Sequence, residues 1–205
     1  LRTGYLLTGI ATGLVIIFSF VASFPDGKLH VVFCDVGQGD GAYIRFPDGR
    51  DMVVDGGPND KVLGCLGKHM PFWDRHIDMV VMTHPQKDHM QGLISILDRY
   101  RVNYFVRSDV DNTTEGYKKL VDIVAAKKIP VKFVTAGETI SVGPATLSLL
   151  WPSEEQIAKS NVKRLDLADV QGPTLSGPKT VLGSSVVGEP STSAVVLGEF
   201  NDYSL

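Results

Sequence analysis

Cysteine is scarce: Cys34 and Cys65 are the two in 205 residues. Two thiols exclude the disulfide framework on which small secreted domains depend. Cys34 lies in an apolar run and reads most simply as a buried small side chain; a bridge to Cys65 is the alternative. Positive charge is short as well. Twenty Lys and Arg against 23 Asp and Glu leave a net charge of −3, which excludes an overall basic footprint for nucleic acid. A local groove for nucleic acid stays open. A hydrophobic content of 43 % with 21 % charged residues excludes a disordered chain. The length suffices for one domain with a real core. No methionine stands at the first position, and the last residues, "SAVVLGEFNDYSL", stop inside a sheet-like stretch, so both ends read as cut.

One long uncharged run is present. Residues 5–24, "YLLTGIATGLVIIFSFVASF", contain no charged side chain. As a helix they are just long enough for a bilayer core of about 30 Å. The alternative is the core of a signal peptide, but such cores run to only about 7–15 residues. The run therefore predicts a membrane span. Arg2 before it favours a cytoplasmic start and an exported remainder.

After Lys28 the pattern changes to short strands. "LHVVFCDV" is apolar on both faces and predicts a buried central strand. "GAYIRF", the turn "PDG" and "DMVVDGG" predict a hairpin, with Asp-Gly supplying the turn. "IDMVVM" predicts another buried strand. Leu93, Ile96, Leu97 and Tyr100 then follow helix spacing, as do Tyr117, Leu120, Val121 and Val124. Lys127, Lys128 and Pro130 end the second helix. Between and after them, "NYFVR", "VKFV" and "TISVGPATLSLLW" predict strands, the last folded back at Gly143-Pro144. Residues 153–191 are rich in Gly, Pro and Ser and predict a long surface loop. Strand character returns at "SAVVLGEF". The order of sheet, helices and sheet fits an α/β (α+β) sandwich better than a doubly wound sheet.

The chemistry concentrates in "THPQKDHMQG", residues 83–92. Imidazole and carboxylate are common ligands of zinc and similar divalent ions. His84, Asp88 and His89 stand on a loop leaving a buried strand, where the backbone is rigid and water has access. Pro85 turns the chain between the histidines, so both can meet one ion or two neighbouring ions. The following helix begins near His89, and its N-terminus favours anionic groups. The alternative is a polar loop with solvated histidines. Asp40 and Asp55 also end strand-like segments, which suggests a built site; each alone could be a turn or cap residue. His30, His69 and His76 lack ligand-like spacing and read as surface or packing residues. Lys87 could meet a phosphate or be an ordinary exposed lysine.

Taken together, "DVGQGDGAYIRFPDG", "MVVDGG", "IDMVVMTHPQKDHMQGL" and "LLWP" resemble the metallo-β-lactamase fold. Within it they resemble the exported domain of the ComEC family of DNA-internalisation competence proteins. A single-span, membrane-anchored metallo-hydrolase of the same superfamily fits equally. The resemblance runs from about Lys28 to Trp151. It implies residues 1–27 as a transmembrane helix and short linker. Residues 28–205 would be an αββα sandwich, incomplete at its C-terminus, carrying the long loop at about 153–191. The family motif is H-x-H-x-D-H. His84, Asp88 and His89 match it as metal ligands, and Gln86 stands where the second histidine should be. Asp40 would brace the metal loop from behind, and Asp55 falls on the "DGG" turn. The chain holds no histidine after His89, and Ser191, Thr192 and Ser193 stand near where a later ligand is expected.

The resemblance implies a metal-dependent hydrolase in the cell membrane, its soluble part extracytoplasmic. It would carry one or two zinc or manganese ions, with Asp88 orienting the attacking water or taking its proton. The implied substrate is a DNA phosphodiester, single- or double-stranded. The implied partners are the membrane and other DNA-uptake proteins. Gln86 supports a rival: a domain that kept the fold, lost its metals, and binds DNA or shapes a membrane channel.

Overall fold

The structure, a computed structural model, describes residues 2–21, 24–143, 145–159, 180–182 and 194–197. The uncharged run forms helix α1 (Arg2–Val21). At 20 residues it is about 30 Å long, and it is apolar and long enough to cross a membrane. Its window from Gly4 to Val21 has no share buried inside the protein.

The remaining elements build two sheets and a helical layer. Strands β1 (His30–Phe33), β2 (Ala42–Arg45), β3 (Asp51–Val54), β4 (His76–Met82), β5 (Arg101–Arg107) and β6 (Val131–Phe133) lie side by side in chain order. β1, β2 and β3 pair antiparallel, while β3 to β6 pair parallel. Parallel neighbours need crossovers, and a helix serves that purpose each time. These are α2 (Lys61–His69), α3 (Lys87–Arg99) and α4 (Glu115–Ala126). A second sheet follows, with β7 (Thr139–Val142) and β8 (Ala145–Leu149) at its centre. Helix α5 (Glu154–Lys159) comes next; then β9 (Thr180–Leu182) joins β7 and β10 (Ala194–Leu197) joins β8.

Strand alternation sorts the core into two clusters. Tyr43, Val53, Val80 and Met82 pack with the buried faces of α2, α3 and α4, among them Leu66, Leu93, Leu97 and Tyr117. Their neighbours Ile44, Met52, Met79 and Val81 point the other way, onto Ile140, Val142, Leu147 and Leu149 of the second sheet. The described layers are therefore helix, sheet and sheet: a mixed α/β architecture around a central mixed sheet.

Three expectations are corrected. The "LHVVFCDV" strand is not central: β1 is an edge strand, largely exposed, with burial beginning only at Cys34 and Val36. Cys34 is not a lone buried thiol but is bonded to Cys65. Segment 153–191 is not loop throughout, since it contains α5 and β9; the rest of it, with Ser191, Thr192 and Ser193, lies outside the described residues.

Candidate functional site

Parallel pairing aligns the ends of β3, β4 and β5 at one edge of the sheet, with Val54 opposite Val81 and Val81 opposite Val106. Residues leaving those ends must meet, although 28 to 34 positions separate them in sequence. Asp55 leaves β3 in the left-handed region at φ 57°, an uncommon state for a residue with a side chain. Its amide donates to the Val81 carbonyl at 2.9 Å. Its carboxylate is spent on the loop after β4: one oxygen accepts from the Thr83 amide at 2.9 Å, the other from the Thr83 hydroxyl at 2.6 Å. That second oxygen also takes His89 Nδ1 at 2.9 Å. Both partners of this bond are buried, with side chains 3 % and 4 % exposed.

Backbone packing fixes His89 as firmly. Its carbonyl accepts from the Gly56 amide at 2.6 Å, and Gly57 accepts from the Gly92 amide at 2.9 Å. A Cβ at Gly56 would come within 2.6 Å of the Leu93 nitrogen. The "DGG" turn and the first turns of α3 can approach this closely only because neither Gly56 nor Gly92 has a side chain. From the other flank, Asn112 Nδ2 donates to the Pro85 carbonyl at 2.7 Å and Ser108 Oγ to the Thr83 carbonyl at 3.3 Å.

The structure brings His84 and His89 together, with ring centroids 3.8 Å apart. His84 Nδ1 lies 3.1 Å from the Thr83 hydroxyl. Asp88, in the first turn of α3, places a carboxylate oxygen 3.8 Å from His89 Nε2. Asp40 stands 3.7 Å from His89 Nδ1 and is half exposed, and its amide meets the Asp88 carbonyl at 3.3 Å. The buried carboxylate behind the histidine is thus Asp55, whereas Asp40 holds the loop through its backbone. Gln86 is the N-cap of α3; its side chain is exposed and makes no capping hydrogen bond, while its carbonyl accepts from His89 and Met90. His30 pairs instead with Asp26 at 2.9 Å, and His69 ends α2.

Electrostatics single out His89. Burial pulls its pKa down, but the Asp55 hydrogen bond and the charges of Asp55, Asp88 and Asp40 outweigh that, leaving it raised. Asp55 and Asp40 face Nδ1 of this imidazole, and Asp88 lies 3.8 Å from Nε2.

Donation of Nδ1–H to a buried carboxylate, with Nε2 turned elsewhere, is the orientation that a metal-binding histidine needs. Asp88 places a carboxylate oxygen on that side, with the His84 ring alongside His89. Among the described residues no group of three or more His, Cys, Asp and Glu side chains is placed to hold a metal ion, and the Gln86 side chain at the N-cap of α3 is exposed. Thr83, Ser108 and Asn112 carry no motif signal in the sequence; only the strand order shows that they support this loop.

No protein-family model matches the chain, and neither does any curated protein sequence.

Proposed function

We propose that this chain is a membrane-anchored, extracytoplasmic hydrolase domain of the metallo-β-lactamase type, working with a single weakly held zinc or manganese ion on DNA phosphodiesters. The observation that carries the proposal is His89, held by a buried carboxylate at Nδ1 and facing Asp88 at Nε2. The helix, sheet and sheet layering is compatible with the αββα sandwich. The assignment to DNA rests on the resemblance of the motifs. The Cys34–Cys65 disulfide supports an extracytoplasmic domain, because such bonds persist in oxidising compartments.

Asp88 and His89 would hold the ion, with His84 beside them. Bound there, the ion would supply Lewis acidity toward a phosphoryl oxygen. Asp55 keeps the His89 ring from rotating and fixes the proton on Nδ1. Asp88, part-exposed at the start of α3, can orient a water or take its proton. Two or three protein donors bind more weakly than the four of a structural zinc site, for which binding releases about 10–16 kcal/mol.

Gln86 favours a second reading: a metal-impaired domain that binds DNA or has a structural role in a membrane channel. The two separate in a cleavage assay with single- and double-stranded DNA, run with added Mn²⁺ or Zn²⁺. The hydrolase reading expects metal-dependent cleavage that Asp88→Asn and His89→Ala each abolish. If the native chain is inert and Gln86→His creates activity, the second reading replaces the first.

A further inference from the structure

At the opposite end of β4 from the candidate site lies a turn with an unusual tip. The Asp74 amide donates to the Pro71 carbonyl at 2.9 Å, closing a turn whose two central residues are Phe72 and Trp73. Turn tips favour Gly, Asn, Asp and Ser, yet here Phe72 is 74 % and Trp73 43 % exposed. Their rings pack edge to face at 4.7 Å. Trp73 also packs on Phe20 in the last turn of α1, at 5.5 Å between centroids, and Phe20 packs on the exposed Phe24 at 5.2 Å. The aromatic patch is thus continuous with the end of the apolar helix.

That continuity says what covers it. A helix of about 30 Å fills the hydrocarbon core, so Phe20 and Val21 sit at its boundary. Rings stacked against Phe20 must then lie in the interfacial layer, where Trp and other amphipathic aromatics are favoured. Beside the patch opens a cleft of about 390 Å³, lined by Phe24, Lys28, Lys68 and His69 among others. Exposed Lys28 and Lys68 suit anionic headgroups at this level.

We propose that the turn at 71–74, with Phe24, is seated in the bilayer interface where α1 emerges, so that the soluble domain rests on the lipid surface. β4 starts just after this turn and ends at Met82 before the candidate site. Its seven residues span about 20 Å, so the candidate site lies at the other end of that strand from the docked turn. The proposal rests on α1 spanning the bilayer and not on any hydrolytic activity.

The chain has two tryptophans, Trp73 and Trp151, so Trp151→Phe leaves Trp73 as the sole reporter. The full chain with this substitution is reconstituted in vesicles of phosphatidylcholine and phosphatidylglycerol. Carbonate extraction tests the span by itself. Trp73 emission should be quenched by lipids brominated near the glycerol, more than by lipids brominated at the chain ends, and little by aqueous iodide. Lys28→Glu with Lys68→Glu should reduce that quenching. A photoactivatable benzophenone side chain at position 72, in the otherwise unaltered chain, should form a lipid adduct. Carbonate-resistant protein whose Trp73 is open to iodide and indifferent to brominated lipid overturns the docking while leaving the span intact. An adduct at position 72 with a second copy of the chain overturns it in favour of a protein contact, and extraction by carbonate removes the premise.

Discussion

At the scale of single residues, the buried carboxylates Asp55 and Asp51 are held differently. Asp55 is matched by an imidazole, a hydroxyl and an amide. Asp51 lies on the same strand, accepts the Tyr43 hydroxyl at 2.5 Å and has only a distant Arg45, at 4.0 Å. Burial raises its pKa to about 6, against the opposing pull of the Tyr43 hydrogen bond and the Arg45 charge. A raised carboxylate pKa means that the folded state keeps a proton the unfolded state has lost. Stability should therefore fall as pH rises from about 4 to about 6, then level off, by on the order of 3 kcal/mol. Asp51→Asn should flatten that segment of the pH profile in urea titrations, and an unchanged slope would place the effect elsewhere. The sequence shows Asp51 as an ordinary residue after a turn. Nothing local says that it is buried, because that depends on Tyr43 and Asp78 being brought to it by other strands.

At the scale of elements, apolar alternation and helix spacing were legible where the partner is near. The β2–β3 hairpin and the buried faces of α3 and α4 follow the pattern directly. β1 misleads because an apolar run reads as buried, while its place at the sheet edge is set by strand order, which is not local. α2 is hard to see because Gly64 and Gly67 weaken its helix propensity; burial of Val62 and Leu66 compensates. The disulfide joins Cys34, just after β1, to Cys65 of α2, and 31 positions separate its cysteines. Closing a loop of that size contributes about 3–4 kcal/mol by chain-entropy reasoning. Changing both cysteines to serine should lower the unfolding free energy by roughly that amount, and dithiothreitol should then have no further effect on the midpoint. A reducing agent that leaves the native midpoint unmoved would show that the bond adds no stability.

At the scale of the molecule, the parallel strands carry the arrangement from one end to the other. Their N-terminal end lies toward α1 and the aromatic turn, and their C-terminal end carries Asp55, Thr83, His84, Asp88 and His89. His84, Asp88 and His89 could be grouped from their spacing alone. The role of Asp55 could not, because it depends on β3 and β4 being parallel neighbours. Gln86 was legible as a glutamine between the two histidines, and the structure puts its exposed side chain at the N-cap of α3.

If Asp88 and His89 form a site for one divalent ion, an equilibrium titration of the full chain with Mn²⁺ and Zn²⁺ will register it. One ion per chain should bind to the native protein, none to Asp88→Asn or His89→Ala, and Gln86→His should tighten the binding. A native chain that binds no ion at all, or binds one with both substitutions in place, has no such site at Asp88 and His89.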